Sequence, residues 1–411
     1  MSHIRYLTRR MSAVTVAATL FTFTLMLQSI IIIYNYSSVV KNASKSINVA
    51  YVKTVPGNIT LTPDWSSDNT LSIEQSNIST SNNTRRIFIS PSFSSGSDDL
   101  EYPMMVDMPK LVREVLSNST LKFHPINDPQ FPILIGEYQK CDNILLKTGE
   151  PPELLILIKS APSNFLRRDT IRLTWGNDLC WGGRRVIHLF LLGNVPSDDT
   201  DLKSILKNES DVNHDIIQQD FLDTYYNNTY KAMFGINWAV KYCSKVPIIM
   251  FVDDDYFIYP KNVIAYIEGL STELRKLLIS GYVWFNAGPI RKNITTHIKW
   301  VVDYKEYAPR FYPPYVAAGN FFLSMDLARE LNVAMRYTKY LRFDDVYLGI
   351  LLRKLLHVPI HLDKVYTYQT VNLHSPEIYD MISSHGYGES VSQFFLWDHL
   401  KCSTFCVQSL V

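Results

Sequence analysis

The pattern of hydrophobic and polar positions changes at about residue 153 of this 411-residue chain. From there on, short and mostly apolar runs occur at residues 154–158, 186–192 and 246–252. Runs of this length and β-branched content are typical of buried strands. Residues 228–242 instead carry apolar side chains at helical spacing. The alternation predicts an α/β fold with a mainly parallel sheet and helices on both faces.

Residues 11–34 form a second apolar stretch, which follows a basic segment with three arginines. The stretch is long enough to cross a bilayer as one helix, and the positive flank predicts that residues 1–10 stay cytoplasmic. A cleaved signal peptide is the alternative, but four isoleucines followed by Tyr34 make a poor cleavage site. We therefore expect a single-pass type II anchor, with the rest of the chain across the membrane.

Composition divides the remainder of the chain. Residues 36–97 are rich in Ser, Thr and Asn, and they cannot bury enough apolar area to offset the entropy of ordering. Residues 98–149 contain prolines and short apolar pieces, which indicate a partly ordered lead-in. We expect a largely flexible stem over residues 35–150 and one α/β domain over residues 151–411, long enough for a substantial core.

Glycosylation tripeptides and cysteines fit the same topology. One Asn-x-Ser/Thr tripeptide is weak evidence, but their density after the anchor is typical of a lumenal glycoprotein. The candidate acceptors are Asn42, Asn58, Asn77, Asn82, Asn118, Asn208, Asn227 and Asn293. An oxidising compartment would pair some of the five cysteines and leave at least one unpaired within the chain. Cys141 with Cys243 is a candidate pair because both flank predicted core strands, although the connectivity stays open.

The nearly equal numbers of basic and acidic side chains bear on whether the chain binds nucleic acid. The chain has 40 basic and 39 acidic side chains and no long basic stripe, so nucleic acid is disfavoured as a partner. The cysteines lack the spacing of a zinc site.

Three consecutive aspartates, Asp253, Asp254 and Asp255, directly follow the apolar run 246–252. Carboxylates at the end of a buried strand lie where open α/β folds bind ligands. They repel each other unless a cation lies among them, and Mg²⁺ often takes one or two carboxylates plus substrate phosphates. A solvated acidic turn is the alternative from this pattern alone.

Six blocks of residues occur in order along the chain. They are Arg168-x-x-x-Arg172-x-x-Trp175, Asp215-Ile216-Ile217, Asp220-Phe221-x-Asp223-x-Tyr225, the aspartate triplet, Tyr312-Pro313-Pro314-Tyr315 and Asp344-Asp345-Val346-Tyr347-x-Gly349. Together these blocks resemble the β-1,3-galactosyltransferase / β-1,3-N-acetylglucosaminyltransferase family of Golgi enzymes. The resemblance covers residues 154–377.

The resemblance implies a GT-A fold, a Rossmann-like mixed sheet with helices on both faces, as the catalytic domain over 151–411. It also implies a UDP-sugar donor, Mn²⁺ or Mg²⁺, and inversion at the anomeric carbon. Asp255 then inherits the metal-ligand role, Asp253 approaches the ribose, and Asp254 supports the donor site. Asp345 matches the catalytic base; a purely capping role at a helix that begins near Val346 is the alternative.

Further site residues follow from the resemblance. Arg168 and Arg172 are candidate donor-binding residues that could equally form structural ion pairs with Asp223 or Asp215. Where relatives carry several glycines, this chain keeps only Gly319 before Asn320, which could hydrogen-bond a sugar hydroxyl. The family's late histidine is displaced, and His374 is its candidate replacement as a metal or diphosphate ligand.

Together these features predict a Golgi membrane enzyme with a lumenal catalytic domain. It would move galactose or N-acetylglucosamine from a UDP-sugar to a glycoprotein or glycolipid glycan in β-1,3 linkage. A catalytically silent glycan-binding or scaffolding homologue is the first alternative, favoured by the lost glycines and the missing histidine and opposed by the retained triplet and Asp345. A metal-dependent phosphoesterase would need a second set of ligands at strand ends, which the sequence does not offer.

Overall fold

An eight-stranded mixed sheet and a three-stranded sheet organise the described part of the chain. This computed structural model describes residues 107–119, 123–291 and 298–407. The strands are β1 (Ile133–Ile135), β2 (Leu154–Lys159), β3 (Val186–Asn194), β4 (Ile216–Leu222), β5 (Ile248–Asp253), β6 (Tyr256–Ile258), β7 (Ile279–Trp284), β8 (Tyr315–Ser324), β9 (Ile360–His361), β10 (Val365–Tyr366) and β11 (Ser383–His385). The predicted strands at 154–158, 186–192 and 246–252 are confirmed as β2, β3 and β5.

Helices cover both faces of the larger sheet. They are α1 (Met108–Leu116), α2 (Lys140–Thr148), α3 (Phe165–Leu173), α4 (Thr200–Asn213), α5 (Asn228–Tyr242), α6 (Pro260–Glu268), α7 (Thr272–Lys276), α8 (Met325–Ala334), α9 (Asp344–Lys354) and α10 (Ser390–His399). The helix predicted at 228–242 is therefore confirmed as α5. Among the described helices none is both long and apolar enough to cross a bilayer, and the predicted anchor lies outside the described residues.

The larger sheet has the order β1-β4-β3-β2-β5-β8-β7-β9. Strands β4, β3, β2 and β5 are parallel, whereas β8 runs antiparallel to both β5 and β7. The chain leaves β2 toward β3 on one side, and β5 lies on the other side of β2. This junction is a topological switch point, and ligands of open α/β sheets bind beyond the carboxyl ends of the strands there.

Two hydrophobic clusters, one on each face, hold the sheet. The central strands β2 and β5 are buried along their apolar lengths, which explains why their sequences are continuously apolar rather than alternating. Trp175, one of the residues of the resemblance, is fully buried, and its Nε1 donates to Gln393 Oε1 at 3.0 Å. It is a core residue and does not stack on a ligand.

The ordered unit begins before the predicted domain boundary at residue 151. Strand β1 pairs antiparallel with β4, and α1 buries Met108, Leu111 and Val112. The lead-in segment thus contributes one strand to the sheet, although the sequence assigns residues 35–150 to a stem.

Two disulfides connect distant parts of the fold. Cys141 pairs with Cys243, as the sequence predicts, and Cys180 pairs with Cys406. Cys402 is the buried free cysteine of the described residues. The expectation that an odd number leaves one thiol unpaired is confirmed.

A buried charge network lies beneath the loop that joins β2 to α3. Arg168 is fully buried, and its Nε and Nη2 donate to Glu209 at 2.8 and 2.7 Å. Its Nη1 and Nη2 also donate to the carbonyls of Ala161 and Pro162. The guanidinium therefore uses its fork of donors to fix the loop that follows β2.

Arg172 extends this network to β4. It pairs with Asp215 at 2.7 Å and with Glu209 at 2.8 Å. Burial opposes the negative charge of Asp215, but the hydrogen bond and charge of Arg172 outweigh it and hold the pKa of Asp215 well below its usual range. The donor-binding roles predicted for Arg168 and Arg172 are therefore wrong, because both guanidinium groups are committed to structural ion pairs. The alternative pairing of Arg172 with Asp215 is confirmed, whereas Asp223 pairs with Lys231 at 2.8 Å.

Replacement of Arg168 by methionine tests the network. Arg168→Met removes two of the hydrogen bonds to Glu209, which keeps its pair with Arg172, and leaves two buried loop carbonyls without this donor, so the free energy of unfolding should fall by about 3 kcal/mol or more. Arg184→Met is the matched control, since Arg184 also pairs with two glutamates but its side chain is 45% exposed. The control should cost less than about 1 kcal/mol. Equal losses for both variants in urea unfolding would contradict the structural role of Arg168.

Candidate active site

One buried lysine joins the ends of two strands and a helix. Lys159 ends β2 and is the register partner of Asp253, which ends β5. Its Nζ lies 2.9 Å from Asp253 Oδ1 and 2.9 Å from Asp344 Oδ2, at the start of α9. Burial opposes the charge, but the two carboxylates outweigh it and raise the pKa of the Lys159 ammonium. The aspartate triplet and the Asp344-Asp345 pair are thereby brought to one site.

Asp345 lies next to this contact in the first turn of α9. The helix begins at Asp344 rather than near Val346, and Asp345 Oδ1 accepts a 2.7 Å hydrogen bond from the Val346 N–H. Burial, and then the charge of Asp344, raises the pKa of Asp345 to about 7. A carboxylate with such a pKa suits a general base near neutral pH. Ordering the helix terminus and accepting a proton are compatible roles for this one side chain.

Asp255 has the features of a cation ligand. Its Oδ1 is buried and accepts no hydrogen bond, and its Oδ2 lies 3.4 Å from His385 Nε2. The second sheet creates this proximity, because β6 follows the triplet and its Tyr256 is the register partner of His385 in β11. A carboxylate with an unused oxygen beside an imidazole fits Mn²⁺ or Mg²⁺.

The protein offers only a partial coordination shell there. Within the described residues, no group of three or more His, Cys, Asp and Glu side chains is arranged to hold a metal ion. Such a pair of side chains matches a cation that takes most of its remaining ligands from water and substrate phosphates. The side chains of Asp255 and His385 therefore fit a metal ion that binds together with a diphosphate.

His374 is not at this site. Its side chain is exposed, and its backbone N–H donates to Asn372 Oδ1 at 2.9 Å in a local turn. The histidine next to Asp255 is His385, so the prediction for His374 is wrong. The signal that identifies His385 is strand pairing between β6 and β11, which a motif search along the chain does not use.

Asp254 connects the aspartate triplet to the loop between β2 and α3. It is buried, and it accepts hydrogen bonds from Ser160 Oγ, Asn164 Nδ2 and Arg167 Nη1 at 2.7, 2.8 and 2.8 Å. Its oxygens are therefore used to tie the β2–α3 loop to the triplet, and direct donor contact by Asp254 is ruled out as its main role. Support, the other half of the prediction, agrees with this geometry.

Arg167, rather than Arg168, pairs with the aspartate triplet. Its side chain is 34% exposed and pairs with Asp254 at 2.8 Å. Burial opposes the charge, but Asp254 and then Asp255 raise the pKa of Arg167. The sequence singles out its neighbour Arg168, because spacing along α3 does not show which of the two consecutive arginines points to the sheet edge.

Asn320 belongs to the core. It is fully buried, its Nδ2 donates to the Phe251 carbonyl, and its Oδ1 accepts from Ser383 Oγ, both at 3.0 Å. The prediction that Asn320 binds a sugar hydroxyl is therefore wrong. Its amide joins the two sheets, and neither amide group is left for a ligand.

Two aromatic side chains, Tyr225 and Trp300, lie near Asp345. Trp300 Nε1 donates to the Tyr225 hydroxyl at 2.7 Å, and Lys299 Nζ lies 5.1 Å from the centre of the Tyr225 ring. Burial raises the pKa of Tyr225, and the charges of Asp345 and Asp344 add to the rise. The phenol is thus within electrostatic reach of Asp345.

The predicted acceptors Asn118, Asn208 and Asn227 lie in the described residues. Asn118 and Asn208 are exposed. The side chain of Asn227 donates to the Leu222 carbonyl at 2.8 Å, and Thr229 of the same tripeptide is fully buried. Glycosylation of all three stays a prediction, as it does for the acceptors outside the described residues (Asn42, Asn58, Asn77, Asn82 and Asn293).

Comparison with known proteins assigns the chain to a family. A family model described as Galactosyltransferase matches residues 166–363, which include both carboxylate groups. The chain is 34% identical over 258 residues to beta-1,3-galactosyltransferase brn of Drosophila melanogaster, covering 62% of this chain and 77% of that protein. It is 34% identical over 245 residues to beta-1,3-galactosyltransferase 1 of Mus musculus, covering 60% and 72%.

A relative with a different donor in its name matches over a longer region. UDP-GalNAc:beta-1,3-N-acetylgalactosaminyltransferase 1 of Homo sapiens is 30% identical over 292 residues, covering 69% of this chain and 83% of that protein. These matches agree with the resemblance carried by the motifs and with the carboxylates gathered at the switch point. The chain belongs to the galactosyltransferase family.

Proposed function

We propose that this protein is an inverting, metal-dependent glycosyltransferase of GT-A fold. It moves a hexose, galactose or N-acetylglucosamine, from a UDP-sugar to a glycan hydroxyl in β-1,3 linkage. The observation that carries the proposal is the contact of Lys159 with both Asp253 and Asp344 at 2.9 Å. It supports the proposal because it holds the aspartate triplet, the proposed donor side, next to the Asp344-Asp345 pair, which contains the proposed base.

The donor half of the site consists of groups that suit a nucleotide diphosphate. Asp255 and His385 would hold the metal, and Asp253 would take the ribose. Arg167 lies beside them as a cation that can pair with phosphate. A divalent ion bound there would act as a Lewis acid that stabilises the negative charge on the leaving diphosphate.

The half of the site that faces the acceptor glycan contains the proposed general base, Asp345. Asp345 takes the proton of the acceptor hydroxyl while that oxygen forms the bond to the anomeric carbon. The bond from this carbon to the diphosphate oxygen breaks, and its electron pair leaves with UDP. Attack from the face opposite the leaving group inverts the anomeric configuration. Lys159 positions both carboxylate groups and transfers no proton.

A silent homologue is less well supported. Its main argument was the loss of glycines before Asn320, but Asn320 is part of the core and the residues at the carboxylates are present. The pKa of Asp345, raised to about 7, and the unsatisfied buried oxygen of Asp255 fit a working base and a working ligand.

The cellular setting is part of the proposal. Two disulfides fit an oxidising compartment. The apolar stretch at 11–34 and the predicted glycosylation sites agree with a type II Golgi membrane protein whose catalytic domain is lumenal. The acceptor would then be a glycan on a glycoprotein or a glycolipid.

Asp255→Asn tests the metal and donor site. The wild-type full-length protein should bind UDP-galactose or UDP-N-acetylglucosamine in the presence of Mn²⁺ and lose this binding in EDTA, as measured by titration calorimetry. Asp255→Asn should weaken the Mn²⁺-dependent binding by more than about tenfold, because the amide is a poorer ligand. Asp326→Asn, which changes an exposed carboxylate, is the control. Normal donor affinity in Asp255→Asn would refute the assignment.

Asp345→Asn tests the base. The amide keeps the shape of the side chain but cannot accept the proton, so transfer should fall by about 10²–10⁴-fold while donor affinity stays unchanged. In the wild-type protein, kcat/KM should decline as the pH falls below about 7, because Asp345 then becomes protonated. Either of two results would exclude Asp345 as the base. One is retained turnover in Asp345→Asn. The other is a wild-type rate that does not change between about pH 5 and 8, the range around the pKa of about 7.

A further inference from the structure

Three aromatic side chains form an exposed cluster outside the carboxylate site. Tyr282 and Trp284 share one face of β7, and Tyr368 follows β10. The ring centres lie 5.3 Å apart for Tyr282 and Trp284, 5.5 Å for Tyr282 and Tyr368, and 5.8 Å for Trp284 and Tyr368. Trp284 is 38% exposed and Tyr368 is 59% exposed. We call these three residues the aromatic platform.

The platform lies at the same sheet edge as the aspartate triplet. Strand β8 is antiparallel to both β5 and β7, so β5 and β7 end at the same edge. Trp284, the last residue of β7, therefore lies at the edge of the sheet at which Asp253 ends β5. The platform lies on the β8–β7–β9 half of the sheet, away from the loop that carries Arg167.

Contacts connect the platform to the base. Trp284 is the register partner of Tyr315, and Tyr315 packs against Gly349 so closely that a Cβ on this glycine would lie 2.6 Å from the Tyr315 Cβ. Gly349 lies about one helical turn after Asp345 in α9. The path through the protein runs from Asp345 along one helical turn to Gly349, and then through Tyr315 to Trp284. Its length is on the order of 15 Å.

A second path connects the platform to the metal site. Tyr256 directly follows Asp255, and its hydroxyl donates to the Thr367 carbonyl at 3.4 Å. Tyr368 is the next residue after Thr367. Tyr315 and Tyr256 thus connect the platform to both halves of the carboxylate site.

The chemistry of the platform fits a neutral sugar. A pyranose ring presents a face of C–H groups that packs on an aromatic ring, while its hydroxyls need polar partners at the rim. The Tyr282 and Tyr368 hydroxyls lie 3.4 Å apart, and the His361 ring lies 4.9 Å from the ring of Tyr282. His361 pairs with Asp363 at 3.0 Å, which completes a polar border.

From this geometry we infer that the aromatic platform binds a sugar of the acceptor glycan beyond the residue that reacts. The acceptor class is a neutral, β-linked oligosaccharide, and a monosaccharide glycoside at Asp345 does not reach the platform. This inference rests on the proposed function, because it takes Asp345 as the point where the acceptor reacts. It assigns to this chain a preference for acceptor length that the carboxylates do not explain.

Kinetics with acceptors of two lengths test the inference. The full-length protein in lipid nanodiscs, which contain no detergent sugar, is assayed with methyl β-galactoside and with lacto-N-neotetraose. Trp284→Ala and Tyr368→Ala should each raise KM for the tetrasaccharide about tenfold, while KM for the monosaccharide and for the donor stays within about twofold. Trp284→Phe should restore most of the affinity, because it retains an aromatic face.

The controls separate this inference from the proposed function. Tyr379→Ala is the matched control, since Tyr379 is 57% exposed and lies outside the platform. Binding of the tetrasaccharide without donor, measured by saturation-transfer NMR, gives a readout that does not require turnover. Thermal unfolding identifies any variant that fails to fold, and the exposed Tyr368 then replaces Trp284 as the test position.

Each outcome decides one of the two claims. Transfer by the wild-type protein with equal changes in KM for both acceptors, or with no changes, would overturn the platform and leave the proposed function intact. Tetrasaccharide binding that depends on Trp284, in a protein that transfers no sugar, would support the platform and overturn the proposed function. Stronger binding of octyl β-galactoside than of the tetrasaccharide would show an apolar aglycone on the rings and contradict the inference.

Discussion

The ammonium of Lys159 is the interaction on which the site depends. Five carboxylates, those of residues 253–255, 344 and 345, gather at one edge of the sheet, and like charges at this density are unfavourable unless cations compensate them. Lys159 is buried and contacts one carboxylate from each group at 2.9 Å. Its location follows from strand register, since it ends β2 opposite Asp253. Loss of this cation would leave the two groups to repel each other.

The remaining charges explain why the carboxylates differ in role. Arg167, Ser160 and Asn164 use the oxygens of Asp254, so Asp254 is structural. His385 lies beside Asp255, which keeps one buried oxygen without a donor. Asp345 accepts a backbone N–H at the helix terminus, and burial and then the charge of Asp344 raise its pKa to about 7. One cluster of identical side chains thus contains a support, a candidate metal ligand and a candidate base.

The two halves of the sheet edge differ in chemistry. Charged groups surround the carboxyl ends of β2 and β5, where a nucleotide diphosphate would lie. Aromatic rings occupy the side of β7 and the segment after β10, where a neutral glycan would extend. This separation is what a transferase needs when its donor carries charge and its acceptor does not.

The sequence predicts the parts of this structure that depend on local pattern. Continuous apolar runs predict β2, β3 and β5, because strands buried on both faces need no polar side. The motifs predict the positions of Asp255 and Asp345 at the ends of a strand and at the start of a helix. The wrong predictions all depend on pairing between distant segments: Arg168 meets Glu209, Asn320 meets Ser383, and His385 rather than His374 meets Asp255. Spacing along the chain does not encode these contacts; the pairing of β6 with β11 accounts for the last of them, and the packing of helices and of the two sheets accounts for the others.

Sugar transfer by the purified full-length protein is the most direct test of the central claim. UDP-galactose, UDP-N-acetylglucosamine and UDP-N-acetylgalactosamine are offered in turn with Mn²⁺ to β-linked galactose, N-acetylglucosamine and N-acetylgalactosamine glycosides, with EDTA as the control. NMR of the product gives the linkage and the anomeric configuration. A β-1,3 product from one donor, lost in EDTA, is the expected result. Folded protein that transfers none of these sugars and binds no donor would contradict the assignment of the carboxylate site.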